Sequence, residues 1–419
     1  MEIKQHDIQK HEVNSIYRQV NVCSGKDGDR FVGFKADSDK INVFFPIGYD
    51  IPADDESQVR KDIRNLFSVM ADSIRGGIAD RSNSLNHYVV NFPIKSYFIV
   101  INHYIEKGYY VEKEKVFQKA SRGNIDWKRT VRDNRVIVHE DCSPIYTEFT
   151  VKKMTPNNDG KIRHINEYCV YEAFSKLYFV YHSNNPVSST KKLLISNREA
   201  RAILSNALAS THDDTKQSLF RAMRDMLDFL DERNENMRYT FGTDEFEYVW
   251  QSIIDIAFGI REKDEYFPKA KWNLRYGCIK EKNPLQPDSI MIYNNKVYVL
   301  DAKYYRYGIT GISDHLPNSS DINKQITYGE YAAKIAKEKN NDSVFNAFVM
   351  PYSKSANCFN AGREFADIGF AEGLWKDGIH EYEKIRGILV DTRYLLFHYR
   401  DSGNENKKLL SECIEGGLT

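Results

Sequence analysis

The sequence has no excess of charge of either sign. Its 59 basic and 59 acidic residues give a formal net charge of zero. A protein that coats DNA regardless of sequence is usually strongly basic, because contacts with phosphates dominate such binding. Neutrality therefore argues against a bulk electrostatic binder. It remains compatible with one basic groove whose charge is offset elsewhere, or with a partner that holds a nucleic acid.

Paired cysteines and long apolar runs are also missing. None of the six cysteines forms a CxxC pair, and no histidine accompanies them at zinc-ligand spacing. Buried free thiols in a reducing compartment are therefore expected. No run of about 18 apolar residues is present, so no membrane-spanning segment is expected. The polar N-terminal stretch lacks the apolar core of a secretory signal, and a cytoplasmic protein is predicted.

Several common catalytic motifs are absent. The sequence contains no GxxxxGK[ST] phosphate loop, no HExxH zinc motif and no GxSxG nucleophile motif. A chain of 419 residues with 41% hydrophobic residues is long enough for two domains. We place the boundary in the loop-like stretch 183–190, which is rich in Asn, Ser and Pro. The predicted domains are residues 1–185, of mixed strands and helices, and residues 186–419.

A helix predicted over residues 244–258 opens the most informative part of the chain. Its apolar residues recur at helical spacing, and Glu247 lies at the edge of the apolar face. Two interpretations of Glu247 remain open. It is either a surface residue in an ion pair or an acid directed across a sheet into a metal site.

A hairpin is predicted next. A strand over residues 289–293 is followed by Asn294-Asn295, a typical two-residue turn, and by a second strand over 297–303. Asp288 stands at the start of the first strand, where an Asp is often only a turn residue. Asp301 and Lys303 end the second strand on the face that also carries its apolar residues. Burying these charges is unfavourable unless they pair or bind a metal, so both interpretations remain open.

A helix over residues 321–337 and a strand over 344–350 complete the pattern. Ser320 or Asp321 is the predicted N-cap of the helix. Gln325 lies within its face of small residues, either as a core amide or as a site residue. Two carboxylates are ligands suited to Mg²⁺, and a lysine beside them is suited to position a water or stabilise developing negative charge. This combination points to phosphodiester hydrolysis.

Pro287-Asp288, then Asp301-Ala302-Lys303, then Gln325 resemble the PD-(D/E)xK nuclease superfamily. The longer pattern resembles the LlaJI-type restriction endonucleases, relatives of the McrC nuclease subunits. The stretches that carry this resemblance are residues 31–34, 45–49, 123–128, 246–250, 266–269, 299–305 and 321–325. The resemblance therefore covers nearly the whole chain.

The resemblance implies an α/β (α+β) fold: an N-terminal mixed α+β domain that binds DNA or a partner, then a PD-(D/E)xK core. This core, at about residues 240–352 within 186–419, has a central mixed β-sheet flanked by helices. Asp288 and Asp301 match the metal ligands and Lys303 the catalytic lysine, with Gln325 and Glu247 as further catalytic candidates. Relatives often carry a Tyr four residues after the Gln, where this chain has Gly329. The convergence of the two carboxylates is expected from the motif, not from residue counting.

The function implied is that of a Mg²⁺-dependent endonuclease, with one or two metal ions, that cuts double-stranded DNA as the nuclease subunit of a restriction system. The implied partners are an AAA+ GTPase similar to McrB and a cognate methyltransferase; no membrane is involved. One alternative is a non-catalytic DNA-binding or assembly subunit of such a complex. Another is a nuclease that acts on branched DNA or RNA, since the fold does not fix the substrate.

Overall fold

A computed structural model of the chain describes most of its residues: 2–3, 19–24, 30–37, 40–52, 55–73, 88–90, 92–138, 144–157, 159–181, 192–231, 238–277, 280–401 and 403–416. The chain forms two compact units. The first unit combines Met1–Phe92 with Asn236–Thr419, and the second unit is Pro93–Glu235. The predicted boundary loop at residues 183–190 lies outside the described residues.

The helices and strands follow one another in three groups. Before the second unit they are β1 (Glu2–Ile3), β2 (Gln19–Ser24), β3 (Val32–Ala36), β4 (Lys40–Phe45), α1 (Glu56–Ser73) and β5 (Tyr88–Val90). Those of the second unit are α2 (Ile94–Lys107), β6 (Glu112–Ala120), α3 (Trp127–Asp133), β7 (Ile137–Val138), β8 (Pro144–Ile145), β9 (Phe149–Asn157), α4 (Lys161–Leu177), α5 (Asn197–Ser210) and α6 (Asp214–Asp231). The remaining elements are β10 (Tyr239–Thr243), α7 (Phe246–Phe258), β11 (Lys271–Trp272), β12 (Lys280–Glu281), β13 (Ser289–Tyr293), β14 (Lys296–Ala302), α8 (Tyr307–Thr310), α9 (Ser319–Glu338), β15 (Val344–Tyr352), β16 (Phe365–Glu372), β17 (Lys384–Asp391), α10 (Thr392–His398) and α11 (Glu405–Ile414).

The first unit contains a six-stranded sheet in the order β1-β2-β4-β3-β10-β5. Its strand β10 follows the second unit in the chain, yet pairs with β3 and β5. Aromatic rings hold this sheet against α1, since Phe67 contacts both Phe34 and Phe241. Because these pairings join the first 90 residues to residues after 236, the compact units do not follow the division at residue 185 that the sequence suggested.

The second sheet of the first unit has five strands in the order β13-β14-β15-β17-β16. The central pairings, β14 with β15 and β15 with β17, are parallel, and both edge pairings are antiparallel. Helix α9 packs on one face through Ile326, Tyr328, Ala332 and Ala336. This mixed sheet with packed helices confirms the predicted fold class. It also extends beyond residue 352, because β17 pairs with β15.

Local sequence explains the two turns that position the site. Asn294 and Asn295 both adopt positive φ angles, 46° and 61°, as the tight hairpin between β13 and β14 requires. Helix α9 begins after Asn318, whose side chain accepts hydrogen bonds from the backbone N–H groups of Ser320 and Asp321. The predicted N-cap, Ser320 or Asp321, was therefore wrong. Asp321 instead lies in the first turn, and its carboxylate accepts from the Asn318 N–H.

The second unit combines helices with a two-stranded ribbon. Helix α6 packs against α2 and α5, and β6 pairs with β9 in the ribbon. Of the described helices in either unit, none is both long and apolar enough to cross a membrane. Cys169 and Cys413 are buried as expected, whereas Cys358 is exposed.

Candidate active site

The hairpin register places Asp288 opposite Asp301. Ser289 pairs with Leu300 in the antiparallel β13–β14 ladder, so the next facing positions are 288 and 301. The Asp288 carboxylate also accepts a hydrogen bond of 2.9 Å from the backbone N–H of Ala302. The convergence expected from the motif thus follows from a two-residue turn and a constant register. Residue counting along the hairpin is the sequence signal that predicts this convergence, because the register stays constant from the turn to Ser289.

The two carboxyl groups are close enough to interact strongly. The pKa of Asp288 is raised to about 8, mostly by burial and then by the neighbouring charge of Asp301 and a hydrogen bond between the two carboxyls. The Ala302 N–H and the Lys303 ammonium act in the opposite direction. Two neighbouring carboxylates repel each other when both are charged. Without a metal ion, Asp288 and Asp301 therefore share a proton near neutral pH. A divalent cation between them would remove that repulsion.

Lys303 joins this pair through its ammonium group. Its Nζ lies 2.9 Å from Asp301 Oδ2 and 2.8 Å from Asp321 Oδ1. Burial alone would lower the pKa of Lys303, but the attraction of Asp301 and the hydrogen bonds to Asp321 and Asp301 outweigh it and raise the pKa above the ordinary lysine value. Lys303 is therefore a cation and a hydrogen-bond donor at neutral pH.

Helix α7 and the segment after it hold Asp288 from a second side. Gln251 Nε2 donates to the Asp288 carboxylate. Lys263 Nζ donates to the backbone carbonyl of Asp288 at 2.7 Å and pairs with Asp255 at 2.6 Å. The Lys263 side chain is only 8% exposed, so this arrangement is shielded from water. Both the side chain and the backbone of Asp288 are thus fixed by residues that the sequence reasoning had not singled out.

Glu247 lies apart from this cluster. It is exposed and lines a cleft of about 750 Å³ that Gln251, Lys303 and Tyr304 also border. Within the described residues, no hydrogen bond or ion pair joins its carboxylate to Asp288, Asp301 or Lys303. It therefore borders the space beside the site without touching the facing carboxylates.

Gln325 is buried beneath β14. Its Nε2 donates to the carbonyl of Val299 at 2.8 Å and lies 3.4 Å from Asn346 Oδ1. Asn346 in turn donates to the backbone carbonyl of Gln325, in a space that a side chain at Gly329 would fill. These contacts are those of a core amide that ties α9 to the sheet. A tyrosine at position 329 would not fit this packing.

Two residues of α9 add charge and a hydroxyl near the facing carboxylates. Burial lowers the pKa of Lys324, but its hydrogen bond and charge interaction with Tyr328, and the charges of Asp301 and Asp288, raise it overall. The Tyr328 hydroxyl donates to the Gln286 carbonyl at 3.2 Å. Helical spacing is the sequence signal that could have predicted Lys324 and Tyr328, since positions 321, 324, 325 and 328 recur on one side of a helix.

The residues present suit a hard divalent cation. Among the described residues, no group of three or more His, Cys, Asp or Glu side chains is arranged as a metal site. Two facing carboxylates are nevertheless enough for Mg²⁺, which commonly binds one or two protein carboxylates and keeps several waters. The raised pKa of Asp288 agrees with this fit, because it reflects a surplus of negative charge that a cation would neutralise.

The chain matches the family model of the LlaJI restriction endonuclease over residues 31–372. The chain belongs to this family. The match spans most of both compact units and includes every candidate site residue. It confirms the resemblance inferred from the motifs.

Two further similarities add context to the LlaJI assignment. The chain is 26% identical over 283 residues to the Bacillus subtilis (strain 168) protein described as Type II restriction enzyme BsuMI component YdjA. That alignment covers 63% of this chain and 58% of the relative, so the chain spans less than two thirds of the relative's length. A solved assembly of Thermococcus gammatolerans McrB AAA+ hexamers with bound McrC is similar at 14% identity, covering 93% of this chain and 83% of the solved chain, with a TM-score of 0.37.

Proposed function

We propose that this LlaJI-family chain is a Mg²⁺-dependent endonuclease that hydrolyses phosphodiester bonds of double-stranded DNA. The observation that carries the proposal is the cluster of the buried Asp301 with the partly buried Asp288 and Lys303. Its carboxylates face each other across a hairpin, and its ammonium is fixed beside them. Family membership supports a role in a restriction system, and with it phage defence.

Each residue of the cluster has a distinct role in this proposal. Asp288 and Asp301 would hold Mg²⁺, which when bound would polarise the scissile phosphate and supply an activated water. Lys303 donates two hydrogen bonds within the protein and has a third N–H available for a phosphate oxygen. Because its pKa is raised, Lys303 stabilises negative charge in the transition state rather than accepting a proton.

The surrounding residues position this machinery. Asp321 orients the ammonium of Lys303 from the first turn of α9. Gln251 and Lys263 restrain Asp288 through its side chain and its backbone carbonyl. Glu247 and Gln325 remain candidates for a supporting role, Glu247 from the cleft and Gln325 through the backbone of β14. Ordered partners of metal ligands typically affect metal affinity or activity by about 10–100-fold.

The chain is proposed to act as one subunit of a larger restriction enzyme in the cytoplasm. The relative in Bacillus subtilis is described as a component of a Type II restriction enzyme, which supports more than one subunit. An AAA+ GTPase similar to McrB is the proposed partner, as the sequence resemblance implies, and a cognate methyltransferase would protect host DNA. The neutral net charge agrees with a partner that helps to hold the DNA.

Plasmid cleavage tests this proposal. Purified wild-type chain and Asp301→Ala are incubated with supercoiled DNA and Mg²⁺, with and without the cognate NTPase and nucleotide. We expect linear or nicked product only from the wild type and only with Mg²⁺, either alone or with the partner. Cleavage that persists in Asp301→Ala would remove this residue from the mechanism.

The remaining outcomes identify the alternatives. The absence of cleavage in every condition, with retained DNA binding, would indicate a DNA-binding or assembly subunit. Cleavage of branched DNA or RNA in place of duplex DNA would keep the site and change the substrate. Asp244→Asn is a suitable control, because Asp244 is an exposed acid on the same cleft that contacts none of the proposed catalytic residues.

A further inference from the structure

The second unit carries an extended ribbon that has no role in the site described above. Strands β6 and β9 pair over nine residue pairs, from Glu112 with Asn157 to Ala120 with Phe149. At about 3.4 Å per residue, the ribbon is about 30 Å long. Its far end leads into helix α3 and the short β7–β8 pair. Most of its residues are exposed on both faces, which is unusual because a two-stranded ribbon is only marginally stable alone.

One face of this ribbon is uniformly basic. Alternate residues of a strand point to opposite faces, and residues paired across the strands share a face. The charged side chains on one face therefore share a positive sign; they are Lys113, Lys115, Lys119 and Lys152. Phe117 lies at the centre of this face, and the Arg129 guanidinium stacks on its ring at 3.6 Å from the centroid. We call these six residues the lysine face.

The ribbon's own acids do not balance this charge. Glu112 and Glu114 alternate with the lysines and so lie on the opposite face. Lys119 is 3.7 Å from Glu148, but both side chains are 61% exposed and such a pair contributes little. Among the described residues, Lys113, Lys115 and Lys152 have no ion-pair partner. Arg129 is 4.0 Å from Asp126 in a partly exposed pair. A chain with zero net charge thus places three lysines without an ion-pair partner on one exposed surface.

The spacing and shape of this face suit a polyanion. Lys113 and Lys115 are about 7 Å apart along β6, and Lys152, which pairs with Phe117 on the neighbouring strand, supplies the charge between Lys115 and Lys119. Duplex DNA presents a dense row of phosphates, and its major groove, about 12 Å wide, admits a two-stranded ribbon. Exposed apolar residues at the far end of the ribbon, among them Trp127 at 57% and Val138 at 63%, would suit a protein or the stacked bases of DNA. The lysine face favours DNA, because its charge complements phosphates.

We propose that the lysine face is a binding surface for the phosphate backbone of double-stranded DNA. This inference rests on the proposed function in taking DNA as the substrate. It does not depend on Asp288, Asp301 or Lys303, so binding is separable from cleavage. The ribbon would contribute affinity without reading the sequence, because contacts to phosphates position a protein but do not specify bases.

The test is DNA binding by the full-length chain without Mg²⁺, in the Asp301→Ala background. Fluorescence anisotropy of a short labelled duplex is measured over a series of salt concentrations. Replacing Lys113, Lys115, Lys119 and Lys152 together by Gln should lower the slope of log Kd against log salt by about 4, since each phosphate contact contributes about 1. Circular dichroism and thermal melting confirm that the variant is folded.

A neighbouring pair of lysines provides the matched control. Lys152 is on the lysine face, whereas Lys153 pairs with Val116 and points to the opposite face. Lys152→Gln should lower the salt slope by about 1, and Lys153→Gln should leave it unchanged. Equal effects of the two substitutions would show that DNA binding depends on the total charge of the chain and not on the lysine face. That result would overturn the proposal.

The other outcomes separate this inference from the proposed function. Unchanged affinity and salt slope in the quadruple variant would overturn the lysine face as a DNA surface. Loss of binding to the cognate NTPase with DNA affinity intact would make it a protein interface, and would overturn the proposal as well. If the chain with Asp301 intact never cuts DNA but binds it through these lysines, catalysis fails while the lysine face stands.

Discussion

Two clusters of buried charge in the first unit differ in their balance. Asp62 is fully buried, and both its oxygens accept hydrogen bonds from Arg393, at 2.8 and 3.3 Å. Gln58 adds a third hydrogen bond at 2.9 Å. One carboxylate is thus matched by one guanidinium. In the candidate site, by contrast, the Lys303 ammonium is shared by Asp301 and Asp321. Among the described residues, no ammonium is bonded to the Asp288 carboxylate, although the charges of Lys303 and Lys324 act on it from nearby.

This difference in charge balance indicates the role of each cluster. A balanced pair satisfies itself and contributes to the fold, because each buried charge has its partner. An unbalanced group of carboxylates is stable only if one keeps a proton or if a cation binds. The raised pKa of Asp288 is the sign of that imbalance. A buried carboxylate without an opposite charge bonded to it therefore indicates a cation site. A buried carboxylate that is paired with a cation contributes to the fold.

The largest expected effect follows removal of a surplus carboxylate. Asp301→Asn should lower DNA cleavage by about 1,000-fold, the upper end of the loss seen when transition-state electrostatics are removed. Its metal-free melting temperature should change little, because relief from Asp288 offsets the weakened ion pair with Lys303, whose ammonium keeps Asp321 as a partner. Cleavage rates and thermal melts on the same preparation measure both effects. Unchanged cleavage, or a large loss of stability, would show that Asp301 is structural.

The balanced pair should respond in the opposite way. Asp62→Asn leaves the Arg393 guanidinium without its anion and should lower the free energy of unfolding by about 3 kcal/mol, near the lower end for a broken buried pair because Arg393 is partly exposed. The cleavage rate of the folded fraction should stay within a few-fold of wild type. Urea unfolding and cleavage below the melting temperature measure the two quantities. A stable but inactive variant would contradict this assignment.

A smaller effect is expected at Lys263, which holds the Asp288 backbone. Lys263→Met should weaken Mn²⁺ binding by about 10-fold, as loss of an outer partner of a metal ligand typically does. Calorimetric titration of the metal-free chain measures this without relying on activity. Lys339→Met is the control, since it removes an exposed ion pair with Glu265 that lies away from Asp288. Equal affinities in wild type and Lys263→Met would limit Lys263 to a role in folding.

The surplus charge also predicts a dependence of stability on pH. The pKa of Asp288 is raised in the folded metal-free chain, so the folded state binds a proton that the unfolded state releases at lower pH. The free energy of unfolding should therefore fall as the pH rises from about 4 to about 8. The buried Asp391, whose pKa is also raised, contributes in the same direction. Comparison with Asp288→Asn isolates the site, because that variant should show a shallower decline. Identical pH profiles would contradict the assignment.

The smallest effect is expected for Glu247→Gln. Its carboxylate is exposed in the cleft and contacts none of the facing residues, so the cleavage rate should change by less than about 3-fold, within the range of a screened surface charge. Cleavage rates at several salt concentrations measure this. A loss comparable to that of Asp301→Asn would place Glu247 in the catalytic machinery once DNA is bound.

The sequence predicted the elements of the site better than its surroundings. Strand periodicity and the Asn294-Asn295 turn gave the hairpin that brings Asp288 opposite Asp301. Such local patterns depend on neighbouring residues and are readable from one chain. The roles of Gln251 and Lys263 were not readable, because they depend on how helix α7 packs beside a distant strand. The pairing of β10 with β3 escaped prediction for the same reason, since about 200 residues separate them.

Metal binding by the purified, DNA-free chain tests the central claim most directly. Mn²⁺ is titrated calorimetrically into wild type, Asp288→Asn, Asp301→Asn and Glu247→Gln at a pH just above 8, where the Asp288 proton is readily displaced. We predict saturable binding in wild type and Glu247→Gln, lost in both Asp→Asn variants. Equal binding by all four proteins, or no saturable binding by wild type, would contradict the account of Asp288 and Asp301 as a cation site.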